Sequence, residues 1–208
     1  MGKKYIKNER ISVALFAVAM LVYAIVYLTK TSFGAAMVHF EAEKILTKTQ
    51  TGTINAIFYL AYAPFQIIGG IAADKYSPFK LISIGLIGAV LSNALILLTQ
   101  NYYFLMIVWA FNGAVQFGIW PATFKIVSSV LAPVHRKNAT FYSTFAGTIG
   151  MILSYIVASI VSGWRSNFIV CVVLLGVSTV VWFALSRYFN NNLVEGNMKA
   201  TVLLTCQN

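Results

Sequence analysis

Six long apolar stretches alternate with short polar breaks along this chain. The stretches cover residues 11–37, 52–73, 79–98, 104–131, 139–162 and 167–188. Each reaches the roughly 20 apolar residues that an α-helix needs to cross a hydrocarbon core roughly 30 Å thick. Turn chemistry marks three of the breaks: Tyr76-Ser77-Pro78, the segment from Ala132 to Lys137, and Gly163-Trp164-Arg165. Proline cannot continue a helical ladder, so Pro78 and Pro133 mark helix ends or starts. The first stretch is longer than the apolar region of a signal peptide, and five more follow it, so it reads as a helix that stays in the membrane. The pattern predicts an all-α membrane protein with six transmembrane helices: an N-terminal segment at 1–10, a bundle at 11–189 and a tail at 190–208. The tail is polar, then weakly apolar at Val202, Leu203 and Leu204, and too short to span again. It is expected to be poorly ordered.

Composition agrees with lipid as the main solvent. The chain is 59% hydrophobic and 10% charged, and its mean hydropathy is +0.79. A soluble domain carries roughly a quarter charged residues. The net charge of +10 would suit a nucleic-acid partner if it formed a basic face. Instead the cations cluster between apolar runs, where they set topology, and nucleic acid is excluded as a partner. Lys3, Lys4, Lys7, Arg10, Lys75, Lys80, Arg136, Lys137 and Arg187 fall on one side of the six-span layout, against Lys44, Lys48 and Arg165 on the other. The positive-inside rule then places both termini in the cytoplasm and the chain in the cell (inner or plasma) membrane.

Polar residues inside the apolar stretches are the candidates for function, because they are costly at membrane depth. Tyr23, Tyr27, Lys30 and Gly34 recur at intervals of three and four and share one face of the first helix. Lys30 either faces a cavity on that stripe or snorkels to the outer interface. Asn55, Tyr59, Tyr62 and Gln66 form a second stripe, with Pro64 among them; its plain alternative is interhelical hydrogen bonding. Asn112, Gln116, Trp120 and Thr123 share a side of the fourth helix, whereas Lys125 points roughly opposite in an ideal helix, with Pro121 able to redirect the last turns. Ala146, Gly150, Ser154, Ala158 and Ser162 make a ladder of small residues on the fifth helix, which reads as packing.

The stretches carry lysine and no carboxylate, so a cavity lined by cations, tyrosines and amides suits a small anionic solute. Enzyme chemistry is not expected. The sequence has no nucleophile elbow, metal-spaced histidine pair, Walker loop or dinucleotide fingerprint. No cofactor or metal is implied, and Cys171 and Cys206 share no ligand spacing.

The segment Gly70-Ile71-Ala72-Ala73-Asp74-Lys75-Tyr76-Ser77-Pro78-Phe79-Lys80 resembles the G-x-x-x-D-[RK]-x-G-[RK]-[RK] loop of the major facilitator superfamily, although Ser77 or Pro78 replaces the second glycine. The stretches from Tyr27 to Met37 and from Gln116 to Lys125 are similar to first- and fourth-helix segments of its organophosphate:phosphate antiporters. Gly163-Trp164-Arg165-Ser166-Asn167-Phe168 is similar to a W-R-x-x-F element before the sixth helix. The resemblance implies one six-helix half of an alternating-access transporter, with Gly70, Asp74, Lys75 and Lys80 in a cytoplasmic latch. The second half would be another subunit, a copy of this chain, or a part lost by truncation. The substrate site would be lined by Lys30, Tyr27, Tyr23, Tyr59, Tyr62, Gln66, Gln116 and Lys125. Lys30 stands where glycerol-phosphate members have a phosphate-binding arginine, Gln66 where they have lysine, and Gly147 near their histidine. The charge is kept at position 30, but the bidentate fork of arginine is lost. The expected function is transport of a small organic anion, with a phosphorylated metabolite as one form; the alternatives are a membrane sensor of an anion and a non-functional transporter remnant.

Overall fold

Helix-starting signals in the sequence open most of the observed elements. A computed structural model describes residues 4–195, and the described residues contain six helical segments long and apolar enough to cross a membrane. After a short strand β1 (Lys4–Ile6), Asn8 caps α1 (Glu9–Ala35) by accepting from the Arg10 amide at 3.0 Å. The helix breaks at Ala36 and resumes as α2 (Met37–Ala42). Thr47 and Gln50 form a reciprocal capping box at the start of α3 (Lys48–Lys75), satisfying amides that a helix leaves open. Pro78 occupies the first turn of α4 (Pro78–Ile96), where its missing N–H costs nothing. The Asn101 side chain caps α5 (Tyr102–Val115).

The fourth span is irregular. A 3₁₀ turn at Gln116–Gly118 joins α5 to α6 (Ile119–Lys125), and a π turn at Ile126–Val130 follows. Pro121 cannot donate to the Phe117 carbonyl one turn back. That carbonyl turns toward Gly69 of α3, where a Cβ would lie 2.0 Å from the oxygen. Glycine is needed at position 69 because nothing larger leaves room for a displaced backbone carbonyl.

Pro133 opens α7 (Pro133–Ile160) six residues before the expected apolar start, so the segment from Pro133 to Lys137 is helix and not loop. Hydropathy locates the lipid-covered part of a helix, while the polar first turns extend beyond it. Arg136 folds back onto the Ser129 and Leu131 carbonyls, at 2.7 and 3.0 Å, which the π turn leaves available. Gly163, with φ of 88°, makes the turn into α8 (Trp164–Asn191), so Trp164 and Arg165 are helical as well. Strand β2 (Leu193–Glu195) then pairs antiparallel with β1. The first residues of the expected disordered tail are therefore ordered; the remainder, 196–208, lies outside the described residues.

Numbering the spans one to six, span one packs on five and six, span two on four, and span three on four and six. Exchanging one, two and three with four, five and six maps this set of pairings onto itself. That is the pattern of two three-helix repeats, and it makes the bundle one half of a major-facilitator-type fold. The closest approaches obey the same exchange. A Cβ at Gly150 would meet the Ala24 carbonyl at 2.1 Å between spans five and one, and a Cβ at Gly113 would meet the Phe58 carbonyl at 2.4 Å between spans four and two. Ala146, Gly150, Ser154 and Ala158 are buried as the small-residue ladder predicts, whereas Ser162 is exposed beyond the end of α7.

Two apolar cores stack along the bundle. One gathers Leu15, Val22, Tyr23, Leu86, Ile119 and Trp182. The other gathers Phe33, Phe40, Phe58, Trp109, Trp164 and Phe168. On α1, Lys30 falls between Val26 of the first and Phe33 of the second. Large side chains such as Leu60, Ile67, Ile107 and Ile160 point outward, as lipid-facing positions should.

Candidate functional site

The seam between the two cores holds the polar stripes. Lys30 is 6% exposed, so it is buried in the bundle rather than held at a free surface. Its Nζ lies 3.5 Å from the ring centroid of Tyr62 and 5.1 Å from that of Tyr27, with Phe58 and Tyr59 each at 5.7 Å. Four rings from α1 and α3 thus surround one ammonium. A cation over an aromatic face gains about 0.5–2 kcal/mol, most where water is excluded. That offsets part of the cost of burying a charge.

The periodicity of α3 supplies three of the four rings of this cage. Phe58, Tyr59 and Tyr62 fall on adjacent turns, and Gln66, one turn further, donates its side-chain amide to the Tyr62 hydroxyl. Gln66 therefore fixes the ring that lies closest to Lys30. Tyr59 keeps 43% exposure and forms the open edge of the cage. On span four, Gln116 Nε2 donates to Asn112 Oδ1 at 2.8 Å, and both side chains are buried. The pair sits beside Gly113, which packs on the backbone of Phe58 and Tyr62.

A cavity of about 220 Å³ opens next to this cage. It is lined by Tyr23, Tyr27, Trp120, Ser143, Thr144, Gly147, Thr148 and Met151. Tyr27 belongs to both, so one ring separates the ammonium from the open volume. Tyr23 stands 4.7 Å from Tyr27 and 5.6 Å from Trp120 between ring centroids, making an aromatic wall. The opposite wall is α7, where Gly147 leaves the space that a side chain would occupy: its Cβ would lie 3.4 Å from both tyrosine rings.

The structure thus brings Lys30, Tyr27, Tyr23, Tyr59, Tyr62 and Gln66 into one connected cluster, with Gln116 beside it. Lys125 is placed elsewhere. It donates to the carbonyls of Ala73 and Tyr76, closing the C-terminal end of α3. Pro121 and the π turn swing the last part of span four toward that helix end. Around the same end, Asp74, Lys75 and Lys80 are exposed, and Gly70 has open space where a Cβ would be. Trp182 Nε1 donates to the Phe79 carbonyl at 3.3 Å, so the 70–80 segment is held from spans four and six together.

Ser143, Thr144 and Thr148 were not singled out from the sequence. On an apolar helix with a small-residue ladder, isolated hydroxyls read as packing groups. The spacing of Thr140, Thr144 and Thr148 at intervals of four was the available signal. Among the described residues, no three His, Cys, Asp or Glu side chains gather as a metal site.

The family model described as the Major Facilitator Superfamily matches residues 19–204. Curated relatives include the Membrane sensor protein UhpC of Salmonella typhimurium, 26% identical over 167 residues, which cover 78% of this chain and 38% of that protein. A Probable hexose phosphate transport protein of Chlamydia trachomatis is 26% identical, over 83% of this chain and 39% of its own length. The Probable sulfoacetate transporter SauU of Cupriavidus necator is 28% identical, over 90% and 43%. The chain spans well under half the length of these relatives.

Proposed function

Because the chain belongs to the Major Facilitator Superfamily, we propose that it serves secondary, alternating-access transport of a small organic anion whose charge is received by Lys30. The observation that carries this reading is the lysine itself: a buried ammonium, caged by four rings, one tyrosine away from a cavity. An intramembrane cation of this kind is retained at a cost, and an anion within reach is the partner that removes the cost. The relatives fit, since two of them carry hexose phosphate and sulfoacetate in their names.

In the working transporter, the anion would enter the cavity beside Tyr23 and Trp120, and the Lys30 ammonium would move off the Tyr62 face toward it. Ser143, Thr144 and Thr148 would hydrogen-bond the remainder of the solute. This six-helix half would rock against the second half about the site, as the halves of such transporters do. The 70–80 segment, with Asp74, Lys75 and Lys80, would act as the latch at the cytoplasmic end, and both termini would lie on that side. A second six-helix half, from another chain or a copy of this one, would complete the cavity.

The test is anion uptake into proteoliposomes or cells by the active assembly, with wild-type Lys30 and with Lys30→Ala. Uptake should fall to background in the variant while membrane insertion and expression stay at wild-type levels. Uptake unchanged by the substitution would remove Lys30 from the site. Binding without any flux in the wild type would remove transport.

A further inference from the structure

The charge inventory of the spans limits what kind of anion the site can hold. Within residues 11–39, 49–73, 81–124, 138–164 and 166–186, Lys30 is the sole charged residue of the sequence. The other wall groups of the cavity and cage are neutral: tyrosines, Trp120, Ser143, Thr144, Thr148 and Gln66. Lys125, at the end of span four, is engaged with the Ala73 and Tyr76 carbonyls away from the cage. The site on this chain therefore compensates one negative charge.

A phosphate monoester carries close to two negative charges at neutral pH, since its second pKa is about 6. This chain's side of the site would leave one of those charges uncompensated at low dielectric, which is the expensive case. Lysine is also a compact point charge, without the planar fork that grips phosphate through two bonds. A carboxylate monoanion has neither disadvantage. The cavity of about 220 Å³ equals on the order of seven water volumes. Its aromatic wall of Tyr23 and Trp120 and its hydroxyls at Ser143, Thr144 and Thr148 suit a small hydroxylated carbon body.

We propose that the Lys30 site selects a hydroxylated carboxylate monoanion over a phosphate monoester of similar size. This rests on the anion-transport reading and specifies its substrate class.

The experiment measures equilibrium binding to the active assembly, this chain together with the half that completes its cavity, in lipid nanodiscs by titration calorimetry. The probes are glucuronate, glucose 6-phosphate and neutral glucose, at pH about 7.5, where the phosphate ester is mostly dianionic. Glucuronate should bind about tenfold more tightly than glucose 6-phosphate or better, with glucose weaker than both. Lys30→Met, which keeps the length of the side chain, should abolish both anions. Lys30→Arg, which keeps the charge and adds the fork, should narrow or reverse the preference. Equal or tighter binding of glucose 6-phosphate, abolished by Lys30→Met, would overturn the monoanion class while leaving the anion site standing. Glucuronate binding no better than glucose, or untouched by Lys30→Met, would overturn both.

Discussion

A single ammonium facing four rings makes individual positions around it decisive. Gly147 is one of them. Its Cβ position lies 3.4 Å from the Tyr23 and Tyr27 rings, an ordinary contact distance. Gly147→Ala should therefore leave anion binding within about a factor of three, whereas Gly147→Leu should reduce it by about tenfold or more by filling the cavity. Calorimetric titration of both variants with glucuronate checks this, and strong binding by the leucine variant would place the solute elsewhere. At this scale the sequence was informative where polar residues repeat at helical spacing. Tyr23, Tyr27 and Lys30, like Tyr59, Tyr62 and Gln66, could be grouped because intervals of three and four leave them on one face. The burial of Lys30 could not be read, because a lysine on a long helix is equally compatible with snorkelling; the packing of α3 against it decides the matter. The contribution of α7 was hidden because Ser143, Thr144 and Thr148 differ from packing hydroxyls only in what lies opposite them.

Helices in this bundle touch through missing side chains. Gly150 sits against the Ala24 carbonyl and Gly113 against the Phe58 carbonyl, at distances that no Cβ tolerates. Gly150→Val and Gly113→Val should each destabilise the protein by about 1–3 kcal/mol or more, since backbone must move to admit the new atoms. A fall in the thermal midpoint of the purified protein in detergent is the readout, and an unchanged midpoint for both would contradict the close packing. The same substitution at Gly52 or Gly176, where a Cβ meets nothing within 4 Å, should be nearly neutral. The six spans themselves were legible, since hydropathy and length dictate them. Their ends were less so, because α7 and α8 begin in polar or aromatic segments that continue the helix past the apolar part. The irregularity of span four escaped as well. Pro121 announces a perturbation, but the 3₁₀ turn, the π turn and the resulting position of Lys125 depend on Gly69 and the end of α3, which are distant in sequence.

The pairing of the spans under exchange of the two triplets, and the confinement of every charge but Lys30 to the ends of the bundle, are properties of the whole molecule. The first was accessible from the sequence through family resemblance alone, because no apolar pattern says which helix meets which. The second was readable directly, and through the positive-inside rule it is the basis of the proposed orientation. Single cysteines at positions 80 and 47, in a background lacking Cys171 and Cys206, should react with a membrane-impermeant maleimide from opposite sides. Position 47 should label in intact cells and position 80 only after the inner face is opened; the reverse would invert the topology.

The one exception to that confinement, Lys30, gives the central claim, that one cation in the membrane interior receives the anion. Chemical rescue at position 30 tests it most directly. In a Cys206→Ser background, Lys30→Cys should not bind glucuronate. Treatment with an aminoethyl methanethiosulfonate, which attaches an ammonium to the new thiol, should restore binding to within about tenfold of wild type. The neutral methyl reagent should restore nothing. Binding that survives in Lys30→Cys, or that returns equally with the neutral reagent, would show that the charge at position 30 does not receive the anion.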